Sequence, residues 1–158
     1  VSSNTLSLNE GAAKALTTTE LAATDPEQNA SQLIYTIQPG SLQNGSLTPI
    51  GGSSSLNAGD TFTQQDVIDN VLEYRHDGSE TTSDSLILML SDGSNTVSAT
   101  VPVSITLVND APTATASTLT VNEGGSQALS PAELSATDPE QSASQLQYTI
   151  QAFTGEAL

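Results

Sequence analysis

An internal repeat constrains this chain more than any other feature. Residues 5–38, which begin Thr5-Leu6-Ser7-Leu8-Asn9-Glu10-Gly11, align without gaps with residues 118–151, which begin Thr118-Leu119-Thr120-Val121-Asn122-Glu123-Gly124, at an offset of 113. Roughly two positions in three are identical. A period this long belongs to a whole small domain repeated in tandem, because a solenoid turn repeats every 20 to 50 residues or so. The expected organisation is one complete module over residues 1–110. Residues 111–158 are then a linker and the opening part of a second module, as in a piece of a longer array. That second stretch should supply strands around Leu119, Val121, Leu146, Tyr148 and Ile150 without the later strands that would cover them. It is therefore expected to be loosely ordered, or ordered only through contacts outside a normal sandwich.

Composition narrows what such modules do. None of the 158 residues is cysteine, which excludes disulfide staples, thiol catalysis and cysteine-based zinc sites. Lys14 and Arg75 are the only basic residues besides one histidine, against 18 acids, and the formal charge is −16. That balance argues against binding nucleic acid through its phosphates and against adsorption to an anionic membrane. No apolar run approaches the ~18 residues needed to span a bilayer, so membrane insertion is not expected. The acidity has two readings: the solubility of a secreted or halophilic protein, or carboxylates that await metal cations.

Periodicity gives the fold class. Residues 5–8 alternate as a half-buried strand and end in the turn Asn9-Glu10-Gly11. Thr17-Thr18-Thr19-Glu20 and its counterpart Ser130-Pro131-Ala132-Glu133 resemble a short capped helical turn. After the polar loop Asp25–Asn29, Leu33–Ile37 reads as a strand. Asn44-Gly45, between Leu42 and Leu47, reads as a two-residue hairpin turn. Pro49–Gly59 is a Gly/Ser-rich loop anchored by Leu56. Thr63–Ile68 makes one helical turn, and Val71–Tyr74 a strand. Leu86–Leu90 is too short for a typical helix and is expected to be a strand buried on both faces. From Val97 to Leu107 every odd position is apolar, which predicts a long final strand with one face in the core. About seven strands, short turns and no long helix predict an all-β, all-antiparallel Greek-key β-sandwich.

The combination Phe62-Thr63-Gln64-Gln65-Asp66, Tyr74-Arg75-His76-Asp77-Gly78-Ser79-Glu80, Leu90-Ser91-Asp92-Gly93 and Val108-Asn109-Asp110-Ala111-Pro112 resembles the cadherin-like repeat of the chondroitin-sulfate-proteoglycan type. Such repeats are strung in tandem in large bacterial surface and secreted adhesins and in cell-surface proteoglycans. The resemblance implies an extracellular role in adhesion or reach, with neighbouring repeats as partners and calcium held by carboxylates near the module junction. Carried over residue by residue, the implied ligands are Glu10, Asp77 and Glu80, then Asn109 and Asp110 of the junction, then Asp138 and Glu140 of the second copy. They should meet at one end of the first module. Leu107 and Ala111 stand where a cadherin linker has an acid and an asparagine, and Asp138-Pro139-Glu140 replaces an Asp-x-Asp pair. These departures imply one or two ions rather than three.

Each of these residues has a plainer reading. Asp25, Asp92 and Asp138 suit turns whose backbone N–H groups they cap, and Glu10 and Glu123 sit beside turn glycines. His76, the only histidine, has no partner suggested by sequence and reads as structural. A nucleophilic triad needs a poised base, and a sugar-cleaving cleft a shaped aromatic surface; with one imidazole, no tryptophan and five Phe and Tyr in all, an enzyme is not expected. Three functions are carried forward: a structural spacer in an adhesin, an adhesive module for a cell-surface ligand, and a polysaccharide-binding or polysaccharide-acting domain of a secreted protein.

Overall fold

In the computed structural model, which describes residues 1–150, the chain divides into two units, Val1–Val108 and Asn109–Leu158. The first unit runs β1 (Ser2–Ser3), β2 (Leu6–Asn9), β3 (Ala13–Ala15), β4 (Leu21–Ala22), β5 (Ile34–Ile37), β6 (Gly45–Pro49), β7 (Thr61–Thr63), α1 (Gln64–Ile68), β8 (Leu72–His76), β9 (Ser83–Ser91) and β10 (Thr96–Thr106). One sheet has the order β2-β10-β9-β5-β7 and the other β3-β8-β6, with β1 pairing only β4. Their facing side chains form a single core that includes Tyr35, Leu88 and Val101 from the larger sheet and Leu47, Leu72 and Tyr74 from the smaller. This is the expected β-sandwich.

The clean alternation from Val97 to Leu107 becomes β10, whose residues Ala99, Val101, Val103 and Ile105 are buried while those between them are exposed. The two ends of the pattern, Val97 and Leu107, stay exposed. The antiparallel ladder to β9 pairs Thr96 with Ser91 through Ser104 with Ser83. On the other side of β10, β2 runs parallel to it, Leu6 opposite Val103 and Asn9 opposite Thr106. An all-antiparallel sandwich was expected, so this edge pair is a departure from the pattern read in the sequence. In β9, Leu86, Leu88 and Leu90 are buried, but Ile87 and Met89 are only half-buried. Their faces meet Thr100 and Ser98 across the ladder, so the strand has one core face and not the two expected.

One local expectation changes for a physical reason. Asn44-Gly45 does not turn a hairpin, because Gly45 opens β6, which lies in the opposite sheet from β5. Glycine is needed there for space: a Cβ would strike the hydroxyl of Tyr74 and the carbonyl of Arg75. The chain turns earlier, at Pro39-Gly40, where the Ser41 N–H bonds the Gln38 carbonyl at 3.2 Å and Gly40 takes a left-handed conformation (φ 85°). Thr17–Glu20 is the expected short capped turn: the Glu20 and Leu21 N–H groups both bond the Thr17 carbonyl at 3.0 Å. Its Glu20 carboxylate accepts the Thr17 hydroxyl (2.6 Å) and N–H (3.2 Å) and pairs Lys14 at 3.2 Å. Burial pushes the Glu20 carboxyl up, but these partners outweigh it and hold the group below the usual carboxylate range. The expected helical turn forms as α1 and is closed by a reciprocal capping box between Thr63 and Asp66.

The second unit repeats the local pieces of the first. β11 (Thr113–Ala116) pairs β12 (Leu134–Thr137) with Ala116 opposite Leu134, the register in which Ser3 of β1 meets Leu21 of β4. The Ser130–Glu133 turn again joins the serine hydroxyl and N–H to the glutamate. The strands expected around Leu119–Val121 and Leu146–Ile150 do not form among the described residues. Their counterparts in the first unit, β2 and β5, are held by β10, β9 and β7. A strand whose N–H and C=O groups find no ladder partner gains nothing by extending. Residue 151 and the rest of the expected second repeat lie outside the described residues.

Two buried phenols give this core a pH limit. Tyr35 stacks on Phe62 with ring centroids 5.1 Å apart and donates to Gln64 Oε1 at 2.8 Å. Burial pushes its hydroxyl up to about 12. Tyr74 is raised as well, by burial first and then by the charge and hydrogen bond of Asp84, 3.0 Å away. An unfolded phenol titrates near ~10. Both groups therefore contribute stability that is fully present below about pH 10 and is lost as pH rises through the folded values. Urea melts between pH 8 and 12 should show stability flat at first and then falling, with a shallower fall for Tyr35→Phe. Equal slopes in the two proteins would contradict this.

Candidate metal centre

The first unit assembles part of the expected ligand set at the end of β10. The turn after β2 is closed by Ala12 N–H to the Asn9 carbonyl at 3.1 Å, with Gly11 at φ 64°, a left-handed value that suits glycine. Glu10 N–H bonds the Thr106 carbonyl at 2.9 Å, and Glu10 Oε2 accepts the Val108 N–H at 3.2 Å. Across β10, Ile105 N–H bonds the Thr82 carbonyl at 2.9 Å, anchoring the loop that joins β8 to β9. The result brings a carboxylate oxygen of Glu10 and one of Glu80 within 4.8 Å of each other. Like charges near that separation repel by about 1 kcal/mol in water and about 4 kcal/mol at the effective dielectric of a protein surface. Asp77 is in the same loop, where its Oδ1 accepts the Ser79 N–H at 2.9 Å. The Ser79 hydroxyl and amide hold its carboxyl below the usual range.

The second unit holds the other four residues. Asp138 Oδ1 accepts the Glu140 N–H at 3.0 Å, a turn across the proline that the first unit repeats at Asp25, whose Oδ1 accepts the N–H groups of Glu27 and Gln28, each at 2.9 Å. Glu140 Oε2 accepts the Asp110 N–H at 3.3 Å. Asn109 donates to the Asp110 carbonyl at 2.9 Å and accepts from Gln141 at 3.3 Å. Asp138 Oδ2 and Glu140 Oε1 are shielded from solvent and make no hydrogen bond. A shielded carboxylate oxygen without a partner is costly unless a proton or cation neutralises it. A hard, oxygen-seeking ion that tolerates irregular shells fits this donor set, and calcium is such an ion.

Asp92 sits elsewhere, closing the turn between β9 and β10 by accepting the N–H groups of Ser94 and Asn95 at 2.7 and 2.6 Å. Those bonds, Asn95 first, hold its carboxyl low. Sequence reasoning overlooked the connections of His76, which is buried between the Gly11 turn and the Gly78 loop and bonded to both. A lone histidine directly before Asp-Gly, at the end of a strand, was the available signal.

Residues 1–106 match the family described as Cadherin-like. The chain belongs to that cadherin-like family. It is 34% identical over 151 residues to the extracellular matrix organizing protein FRAS1 of Mus musculus, covering 92% of this chain and 4% of that protein. It is 33% identical over 113 residues to the FRAS1-related extracellular matrix protein 1 of Homo sapiens, covering 71% of this chain and 5% of that protein. Against the extracellular matrix protein 3 of Lytechinus variegatus the identity is 33% over 118 residues, covering 70% of this chain and 4% of that protein. The chain thus spans only a small fraction of the length of the curated relatives it matches. These relatives are extracellular matrix proteins and not the bacterial adhesins that the sequence suggested, and they mark the chain as an extracellular cadherin-like module. No helix among the described residues is long and apolar enough to cross a membrane.

The shielded oxygens lead to a test with an unusual sign. In a chelating buffer Glu140→Gln removes an unneutralised carboxylate, so the melting temperature of the full chain should match or exceed that of the parent. In millimolar calcium the same change should lower it. A lower melting temperature in chelator would mean that the carboxylate is already satisfied without a metal.

Proposed function

We propose that the chain is a calcium-assisted spacer and adhesion module of a large repetitive extracellular protein. Residues 1–110 are one complete repeat of the chondroitin-sulfate-proteoglycan type, and residues 111–158 are the linker and opening part of the next. The observation that carries this reading is the pair of shielded, unpartnered oxygens on Asp138 and Glu140. The carboxylates of Glu10 and Glu80, held close against their own repulsion, support it. Glu10, Asp77 and Glu80 of the first unit and Asn109, Asp110, Asp138 and Glu140 of the second are the residues that would hold calcium. Calcium would supply positive charge where carboxylates within a unit otherwise oppose one another. The role is non-catalytic. Neighbouring repeats and matrix components are its partners, in keeping with relatives named as extracellular matrix proteins.

Calcium titration tests this reading. An ion that binds only the folded chain stabilises it by about 2.7 kcal/mol at a hundredfold excess over Kd. Extracellular calcium modules commonly bind at ~10⁻⁴–10⁻³ M. Millimolar calcium should therefore raise the melting temperature by several degrees, and magnesium by much less. Asp110→Ala and Asp138→Ala should each weaken calcium binding in calorimetry, while Asp92→Ala should leave it unchanged. Identical melts in calcium and in chelator would sink the proposal.

A further inference from the structure

We propose that His76 is a positioning residue for the metal centre, tying together the two loops that hold Glu10 and Glu80 face to face. The inference rests on the calcium reading above and adds a residue to it that contributes no ligand atom. His76 ends β8 and its side chain is fully buried. Its Nδ1 accepts two backbone N–H groups, Gly11 at 3.1 Å and Gly78 at 3.2 Å. An Nδ1 facing two donors is an acceptor, so the ring carries its proton on Nε2 and donates it to Thr81 Oγ1 at 2.9 Å. Thr81 Oγ1 in turn lies 3.1 Å from the Ser79 hydroxyl.

One imidazole thus grips the residue after Glu10, and grips the second loop on both sides of Glu80. The strand beneath it is pinned as well, His76 N–H to the Ala12 carbonyl at 3.0 Å and Asp77 N–H to the Asn44 carbonyl at 3.1 Å. Two carboxylates that repel each other drift apart unless their backbones are fixed. A leucine or phenylalanine could fill the same space but would take away the acceptor that the Gly11 and Gly78 N–H groups share. The choice of imidazole is therefore explained by the two loops it joins, and packing alone does not require it. Outer partners that orient a metal's ligands commonly matter about 10- to 100-fold in affinity when removed.

The test uses the full chain with His76→Asn and His76→Gln. Asparagine can place an oxygen near the position of Nδ1, whereas the glutamine amide lies one bond further out, near Nε2. Ile37→Val, a small core change on β5 outside both loops, controls for lost stability. Calcium affinity from calorimetry is one readout. The second needs no metal: because the chain has no native cysteine, Glu10→Cys with Glu80→Cys gives a clean pair whose cross-linking by a short bifunctional thiol reagent reports how often the loops face each other. His76→Gln should weaken calcium binding about tenfold or more and slow cross-linking. His76→Asn should stay within a few-fold of the parent, and Ile37→Val should not alter either readout. Unchanged cross-linking in His76→Gln, or slowed cross-linking with unchanged calcium affinity, would overturn the inference. A parent chain that binds no calcium but shows slowed cross-linking in His76→Gln would overturn the calcium reading and leave His76 as the tie between the loops.

Discussion

The first unit depends on the ladder between β9 and β10. It is the longest pairing among the described residues, from Thr96 opposite Ser91 to Ser104 opposite Ser83, and the two strands contribute Leu86, Leu88, Leu90, Ala99, Val101, Val103 and Ile105 to the core. Everything else in the larger sheet is built on its flanks, β5 on β9 and β2 on β10. Burying a Leu, Val or Ile side chain is worth about 1.5–3 kcal/mol relative to exposure, so this hairpin alone anchors a large share of the apolar gain. The same ladder sets the candidate metal centre. Glu10 follows from the parallel pairing of β2, which puts its N–H on the Thr106 carbonyl, and the Glu80 loop follows from Ile105 bonding Thr82. Two loops far apart in sequence are neighbours because both are fastened to the end of one strand.

The internal repeat provides a comparison of one sequence in two surroundings. Short-range features survive the change. The Thr17–Glu20 and Ser130–Glu133 turns, the Asp25 and Asp138 turns, and the β1–β4 and β11–β12 registers are each made by residues that lie close in sequence or pair at the same offset. Long-range features do not. Leu6, Tyr35 and Ile37 are essentially buried in the first unit, whereas Leu119, Tyr148 and Ile150 are 39%, 53% and 74% exposed. The difference is in what packs on them, since the side chains are the same.

The charge of the chain belongs to the same account. With two basic side chains available, Lys14 is paired with Glu20 and Arg75 with Glu73. Several other acids are capped by turns, as at Asp92 and Asp77, where backbone N–H groups solvate the carboxylate. Asp138 and Glu140 each have one oxygen served in that way and one that is not. Acids whose local turn leaves an oxygen shielded and unserved are where a cation has most to contribute.

The sequence by itself determined the sandwich, most of its capped turns and the β10 face, because alternation, capping residues and glycine act over a few residues and need no knowledge of the rest of the chain. It also named Glu10, Asp77, Glu80, Asn109, Asp110, Asp138 and Glu140 as acids and amides worth following, through their resemblance to a cadherin-like pattern. Only the tertiary structure decided that β2 runs parallel to β10, that Gly45 starts a strand under Tyr74, and that Glu10 faces Glu80. It alone showed that His76 joins their loops. Those facts concern which distant segments share a ladder or a hydrogen bond. Such choices are settled by the packing of the whole core, which no local pattern encodes.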